Sequence, residues 1–312
     1  MDEIMQRQHK PDFLGIGLHK GGTTWLFQQL KQHQDIWLPP MKELHYFDRD
    51  KAYASPNFLA ESSPLKRSLS DVEGKMRVAY EHLQRNRERG NLQAARWWYK
   101  FLVGRCSDNW YRSLFAEAGS KVCGEITPAY SILNKQSLLE IKQLNPDIKI
   151  ILMLRNPVER AWSAVKFNFL NLKVGGDISS VSDIRQCLDD PGMVARGNVS
   201  DIIERYQSVF KGNFLVCFYD AIKQNPNVLL SEICGFLGVE PDRFKENIAS
   251  KRVNASPQAP MPAEVKTYLT DCYVDMLAEL DKTYAGYFHH WYCKVTGQPA
   301  SPAGPVQASL RL

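Results

Sequence analysis

Phe13-Leu-Gly-Ile-Gly-Leu-His-Lys20-Gly21-Gly22-Thr23-Thr24-Trp25 is the stretch on which the reading of this chain turns. Its first six residues are a short apolar run of the kind that makes a buried strand, and Thr23 to Gln32 sets apolar side chains on one face of a predicted helix. Between them, two adjacent glycines permit a tight turn that presents backbone amides to an anion. The helix start adds a partial positive charge, Thr23 and Thr24 add hydroxyls, and Lys20 adds a full charge. All of these favour phosphate. A nucleoside-triphosphate loop of the Walker A type places its lysine directly before the hydroxyl residue. Here Lys20 precedes both glycines, an order that argues against an ATP-dependent small-molecule kinase, which stands as the alternative reading.

Moving outward, Ile148-Lys-Ile-Ile-Leu-Met-Leu-Arg155 is the strongest buried-strand signal, and Asn156-Pro157 opens a helix after it. Phe214-Leu-Val-Cys-Phe-Tyr219 reads as a further strand, followed by a helix over Pro226 to Leu237 that Gly238 stops. This alternation predicts an α/β fold in three layers, a mainly parallel sheet flanked by helices, with a P-loop-like nucleotide site. A helical insertion over about residues 55–115 interrupts it. The highly charged part from Ser70 to Phe101 predicts one or two exposed helices, with Trp97, Trp98, Tyr99 and Phe101 as a docking face on a lid or acceptor-side subdomain. Residues 1–297 are expected to form a single domain, and the Pro-, Ala- and Ser-rich residues 298–312 a flexible tail.

The composition bounds the function. A net charge of +5, with Lys and Arg scattered among acids, suits an anionic small ligand and gives no nucleic-acid signature. Seven widely spaced cysteines without a CxxC pair predict reduced thiols rather than a disulfide framework or a zinc site. The first residues have no apolar stretch and no later run is long enough to span a membrane, so a cytoplasmic protein is expected. No clustered His or Cys ligands point to a metal.

Lys20-Gly21-Gly22-Thr23-Thr24-Trp25 resembles the 5′-phosphosulfate loop of the sulfotransferases that use 3′-phosphoadenosine 5′-phosphosulfate (PAPS), written K-[SG]-G-T-[TS]-x. The resemblance implies that Lys20 bonds the oxygen bridging sulfur and 5′-phosphate, that Gly21, Gly22, Thr23 and Thr24 wrap that phosphate, and that Trp25 lies near the adenine. A core aromatic of the first helix is the other reading of Trp25. Arg155-Asn-Pro-Val-Glu-Arg-Ala-Trp-Ser163 resembles the family's 3′-phosphate motif, L-R-[ND]-P-x-[ED]-R-x-x-S, at every defined position, and Arg155 and Ser163 carry over as ligands of that phosphate. The resemblance continues loosely to about residue 255. It adds Tyr206 on a helix before the third strand, and Arg252 in a basic loop that closes over the nucleotide.

Lys42-Glu43-Leu-His45-Tyr-Phe47 resembles the K-E-x-x-[FY]-F segment of glycan-type and bacterial members, in which the glutamate is the catalytic base. Glu43 carries over as base, and His45 is the second candidate because an imidazole titrates near neutrality. In an extended segment the two side chains share one side. The base stays open between them. Glu125-Ile-Thr127-Pro128-Ala-Tyr130 resembles E-K-[TS]-P-x-Y, with Ile126 where many glycan enzymes carry lysine, which counts against a polyanionic acceptor. The family implies sulfuryl transfer from PAPS to an acceptor hydroxyl, leaving PAP. Carbohydrates, small alcohols and carrier-bound hydroxyacyl chains are all open as acceptors.

Overall fold

The computed structural model describes residues 9–61, 63–70, 74–174, 176–244, 259–299 and 307–312. β1 (Phe13–Gly17) leads into α1 (Thr23–Gln32) and β2 (Ile36–Trp37). The insertion follows as α2 (Pro64–Ser70), α3 (Lys75–Glu88), α4 (Leu92–Val103) and α5 (Asp108–Ser113). β3 (Val122–Ile126), α6 (Lys135–Leu144), β4 (Lys149–Leu154) and α7 (Pro157–Lys166) come next, and a π-helical turn over Phe167–Leu172 extends α7. Then come α8 (Val181–Leu188), α9 (Pro191–Gly197), α10 (Val199–Phe210), β5 (Phe214–Phe218), α11 (Tyr219–Gln224) and α12 (Pro226–Leu237). The helices α13 (Ala263–Tyr284) and α14 (Tyr287–Thr296) and the strand β6 (Ser309–Arg311) complete the chain.

The sheet order is β2-β3-β1-β4-β5-β6. The first five strands run parallel, and β6 pairs antiparallel to β5, with Val216 opposite Leu310. From β1 the chain first builds the β3 side and then crosses to β4, so the strand order reverses at β1. Open α/β sheets bind ligands outside the carboxyl ends of the strands at such a switch point. β1 and β5 are buried along their whole length, as expected of strands covered on both faces by helices. Among the described residues no helix is long and apolar enough to cross a membrane.

Local chemistry explains the boundaries. Asn156 caps α7 by accepting from the amides of Val158 and Glu159 at 3.0 and 3.2 Å, with Pro157 in the first turn. Gly238 ends α12 at φ 82°, a left-handed conformation that favours glycine.

Three expectations are corrected. β3 has no counterpart among the predicted strands, because Gly124 and Glu125 interrupt its apolar pattern. There a Cβ on Gly124 would lie 2.4 Å from the Phe13 carbonyl, so the close approach of β1 and β3 requires glycine. The aromatic face of the insertion turns inward: Trp97, Trp98 and Phe101 are buried and Tyr99 alone of the four is exposed. Trp97 Nε1 donates to the Leu114 carbonyl at 2.8 Å, which ties α4 to the chain beyond α5. The end of the expected tail joins the sheet, since Ser309–Arg311 is a strand and the Ser309 hydroxyl donates to Glu232 at 2.5 Å.

Ending the chain before residue 307 is expected to lower the unfolding free energy by about 2 kcal/mol, the scale of a few ladder hydrogen bonds with their packing. Urea unfolding measures it, and an unchanged midpoint would show that β6 adds nothing.

Candidate active site

The turn after β1 is built by contacts that exclude side chains. Leu18 N–H donates to the Met153 carbonyl at 2.6 Å, and Gly21 N–H donates to the Leu18 carbonyl at 2.9 Å. A Cβ on Gly21 would meet the Met153 oxygen at 2.5 Å. Gly22, at φ 103°, sits where a Cβ would strike Ile222 at 2.7 Å. No side chain caps α1, and the first-turn amides of a helix have no partner within it. Thr23 is buried and Thr24 half-buried at that helix start.

Cations gather round this turn. The Lys20 ammonium lies 4.3 Å from the centre of the Phe167 ring. Burial lowers its pKa, and so do Arg155 and Lys166. Arg155 follows β4, rests 4.7 Å from the Tyr219 ring centre, and meets Glu159 at 3.4 Å. Its buried Nε has no hydrogen-bond partner among the described residues. Ser163 is buried two turns into α7, and Lys166 stands three residues further along the same helix. Lys20, Arg155 and Lys166 thus lie near enough to interact, and Ser163 is on the same helix as Lys166. Lys166 was not foreseen; its spacing from Ser163 on α7 was the available signal.

A second cluster forms around Glu43. Lys42 pairs with the Glu43 carboxylate. Glu43 Oε2 lies 3.7 Å from His45 Nε2, and His45 Nδ1 meets Asp48 Oδ2 at 2.7 Å. His45 and Asp48 are 1% and 0% exposed, whereas Glu43 keeps 24%. Burial favours the neutral imidazole, but the hydrogen bond to Asp48 and the nearby Glu43 carboxylate outweigh it and push the His45 pKa up to about 9. Burial pushes the Glu43 carboxyl up, and His45 and Lys42 together hold it well below the usual carboxylate range. His19, beside Lys20, behaves oppositely to His45. Burial and then Arg196 pull it down to about 3, although Glu43 opposes the shift. His19 was also missed, and its only sequence signal is its place in His-Lys-Gly-Gly.

The segment carrying Glu43 and His45 is not extended. Both residues have left-handed backbones, at φ 66° and 56°, and they meet through this turn rather than through strand alternation. Tyr206 is corrected outright: it is 0% exposed and its hydroxyl donates to the Tyr130 carbonyl at 2.5 Å, so α10 uses it as core. Trp25 is likewise buried in the core. Arg252 lies outside the described residues.

A glycine turn at the switch point, a cluster of cations beside it, and a half-buried carboxylate next to a buried histidine suit an α/β group-transfer enzyme. A model of the sulfotransferase family matches residues 11–243, and the chain belongs to that family. Among solved structures, a sulfotransferase from Alicyclobacillus acidocaldarius is 23% identical with a TM-score of 0.60, over 88% of this chain and 95% of that one. The sulfotransferase domain of the Synechococcus olefin synthase is 17% identical with a TM-score of 0.52, over 87% of this chain and 96% of that domain. The sulfotransferase domain from the curacin biosynthetic pathway is 17% identical with a TM-score of 0.53, over 85% and 97%. At these identities the likeness is one of fold. None of the curated proteins matches the chain.

The His45 pKa of about 9 lies above its ordinary 6.5, so the charged imidazole stabilises the fold fully below pH 6.5, and that contribution is lost as pH rises through about 9. Thermal melts should therefore fall over this interval, and His45→Gln should flatten the decline. A wild-type profile without the decline would contradict the charged assignment.

Proposed function

We propose that the protein transfers the sulfuryl group of PAPS to an acceptor hydroxyl, giving a sulfate ester and PAP, with Glu43 as the base. The observation that carries this reading is the crowding of Lys20, Arg155 and Lys166 round a glycine turn, close enough that Arg155 and Lys166 both lower the Lys20 pKa. Like charges are held together at a cost that a bound polyanion removes. The residues fit such a donor: Gly21 and Gly22 leave no room for a Cβ, and the Arg155 Nε is buried without a partner among the described residues.

The donor supplies an electrophilic sulfuryl group joined to a phosphate that leaves. In this reading Arg155 and Ser163 hold the 3′-phosphate, while Gly21 to Thr24 hold the 5′-phosphate with backbone amides and hydroxyls. Lys20 neutralises the bridging oxygen as it takes the electron pair of the breaking S–O bond. Glu43 accepts the acceptor's proton as the new O–S bond forms. Its low pKa keeps it ionised and ready, and the hydroxyl proton becomes acidic enough to transfer as bonding to sulfur proceeds. His45 is charged and 1% exposed, so it serves to orient Glu43, and Asp48 in turn fixes the ring. Ile126, 1% exposed where many glycan enzymes carry lysine, leaves that position without a cation and favours an acceptor of low charge.

Radiolabelled transfer from PAPS to a panel of carbohydrate, small-alcohol and carrier-bound hydroxyl acceptors tests the reaction itself. For the donor site, Arg155→Ala should weaken PAP binding by about 2–3 kcal/mol, the scale of a lost charge-assisted contact. Adenosine 5′-phosphosulfate, which lacks the 3′-phosphate, should bind the variant and the wild type alike. Equal weakening of both ligands would remove Arg155 from that phosphate.

For the base, Glu43→Gln should lower turnover by about 10²–10⁴-fold with PAP affinity kept. Near-normal turnover in that variant, with loss in His45→Gln, would exchange the two roles.

A further inference from the structure

Beneath the Glu43 turn lies a buried carboxylate that the proposed chemistry does not use. Glu125, at the end of β3, is 1% exposed and has no cation partner among the hydrogen bonds and ion pairs of the described residues. Four donors converge on it instead. Tyr111 and Tyr130 hydroxyls reach Oε1 at 2.6 and 2.9 Å, and the Thr127 hydroxyl and the Leu44 amide reach Oε2 at 2.7 and 3.2 Å. Burial pushes this carboxyl up, and the hydrogen bonds oppose the shift.

The partners define what Glu125 holds. Leu44 N–H belongs to the residue between Glu43 and His45. Tyr46 N–H, on the other side of His45, donates to the Tyr130 hydroxyl at 2.9 Å. Since Tyr130 spends its proton on Glu125, its oxygen is free to accept from Tyr46. Both amides flanking His45 therefore end on one network. Tyr111 brings in the insertion as well: its ring stacks on Tyr46 with centroids 4.3 Å apart, and the Tyr46 hydroxyl donates to Asp108 at 2.6 Å. Glu43 and His45 occupy left-handed backbones, which non-glycine residues keep only where the surroundings over-determine them.

We infer that Glu125 is the positioning residue of the catalytic turn. Through Leu44 directly and through Tyr130 to Tyr46, it holds the strained backbone that aims Glu43, and through Tyr111 it fixes the acceptor-side insertion to that same turn. This rests on the reading of Glu43 as the base. Although β3 pairs with β1, the four donors to Glu125 come from Leu44, Tyr111, Thr127 and Tyr130, none of which the proposed chemistry places on the donor, so the role has a distinct signature.

Glu125→Leu removes the acceptor at similar size, Tyr130→Phe removes the link to Tyr46 and one of the four donors to Glu125 while leaving the Leu44 bond in place, and Glu125→Gln keeps an oxygen for Leu44 while the hydroxyls rotate to suit. Turnover should fall about 10²-fold in Glu125→Leu and Tyr130→Phe, the scale of a slightly misplaced catalytic group, and should recover substantially in Glu125→Gln. PAP affinity should be unchanged in all three. Hydrogen exchange supplies a readout that does not depend on activity: the Leu44 and Tyr46 amides should be protected in the wild type, both exposed in Glu125→Leu, and Tyr46 exposed in Tyr130→Phe. If Glu125→Leu fails to fold, Tyr130→Phe carries the test. Turnover retained with both amides still protected, or PAP affinity falling together with turnover, would overturn the assignment. A wild type that neither binds PAP nor transfers from PAPS would instead defeat the donor reading, and the exchange data would still judge the turn.

Discussion

The hydrogen bond from Leu18 N–H to the Met153 carbonyl, 2.6 Å long, is the constraint on which the site depends. It binds the turn after β1 to the end of β4, and Gly21 then packs directly on the same carbonyl. Because β1 and β4 are adjacent and parallel, the segments that follow them leave the sheet at the same edge. Lys20 and Arg155, far apart in the chain, consequently face one crevice. Any residue with a Cβ at position 21 would force the turn off the strand and separate the two cations.

Electrostatics then divide the crevice into two halves. Around Lys20, burial and the neighbouring cations Arg155 and Lys166 all disfavour the charged ammonium. Around Glu43 the neighbours are Lys42 and His45, so the carboxylate stays ionised. Two histidines near the boundary show how completely surroundings decide protonation. The surroundings of His45, between Glu43 and Asp48, push its pKa up to about 9, while desolvation and the charge of Arg196 pull that of His19 down to about 3. Fixed charges prepared before the reaction are the form of stabilisation that costs no reorganisation during it.

The insertion packs against the turn that carries Glu43 rather than standing apart from it. Its aromatic residues pack inward, and α5 places Asp108 and Tyr111 against Tyr46. The turn bearing Glu43 is therefore sandwiched between β3 beneath and the insertion beside it. An exposed loop could not keep two left-handed residues in place by itself.

Strand, glycine turn and helix over residues 13–32, and the strand, capped proline start and helix over 149–166, were legible in the sequence alone, because a few neighbouring residues determine each of them. The positions of Lys20 after the first strand, and of Arg155 and Ser163 after and within the later strand and helix, were legible for the same reason. Tyr206 looked the same in sequence and is core, since a tyrosine's exposure depends on the helix face turned to the sheet. β3 was hidden because its glutamate is buried, and a carboxylate is buried only where partners satisfy it, as Tyr111, Thr127 and Tyr130 do for Glu125. Likewise only the tertiary structure set the opposite protonation of His19 and His45, and gathered Lys166 with Lys20. Chain-local chemistry writes backbone shape into the sequence, whereas burial and charge partners arise from residues that the fold brings together.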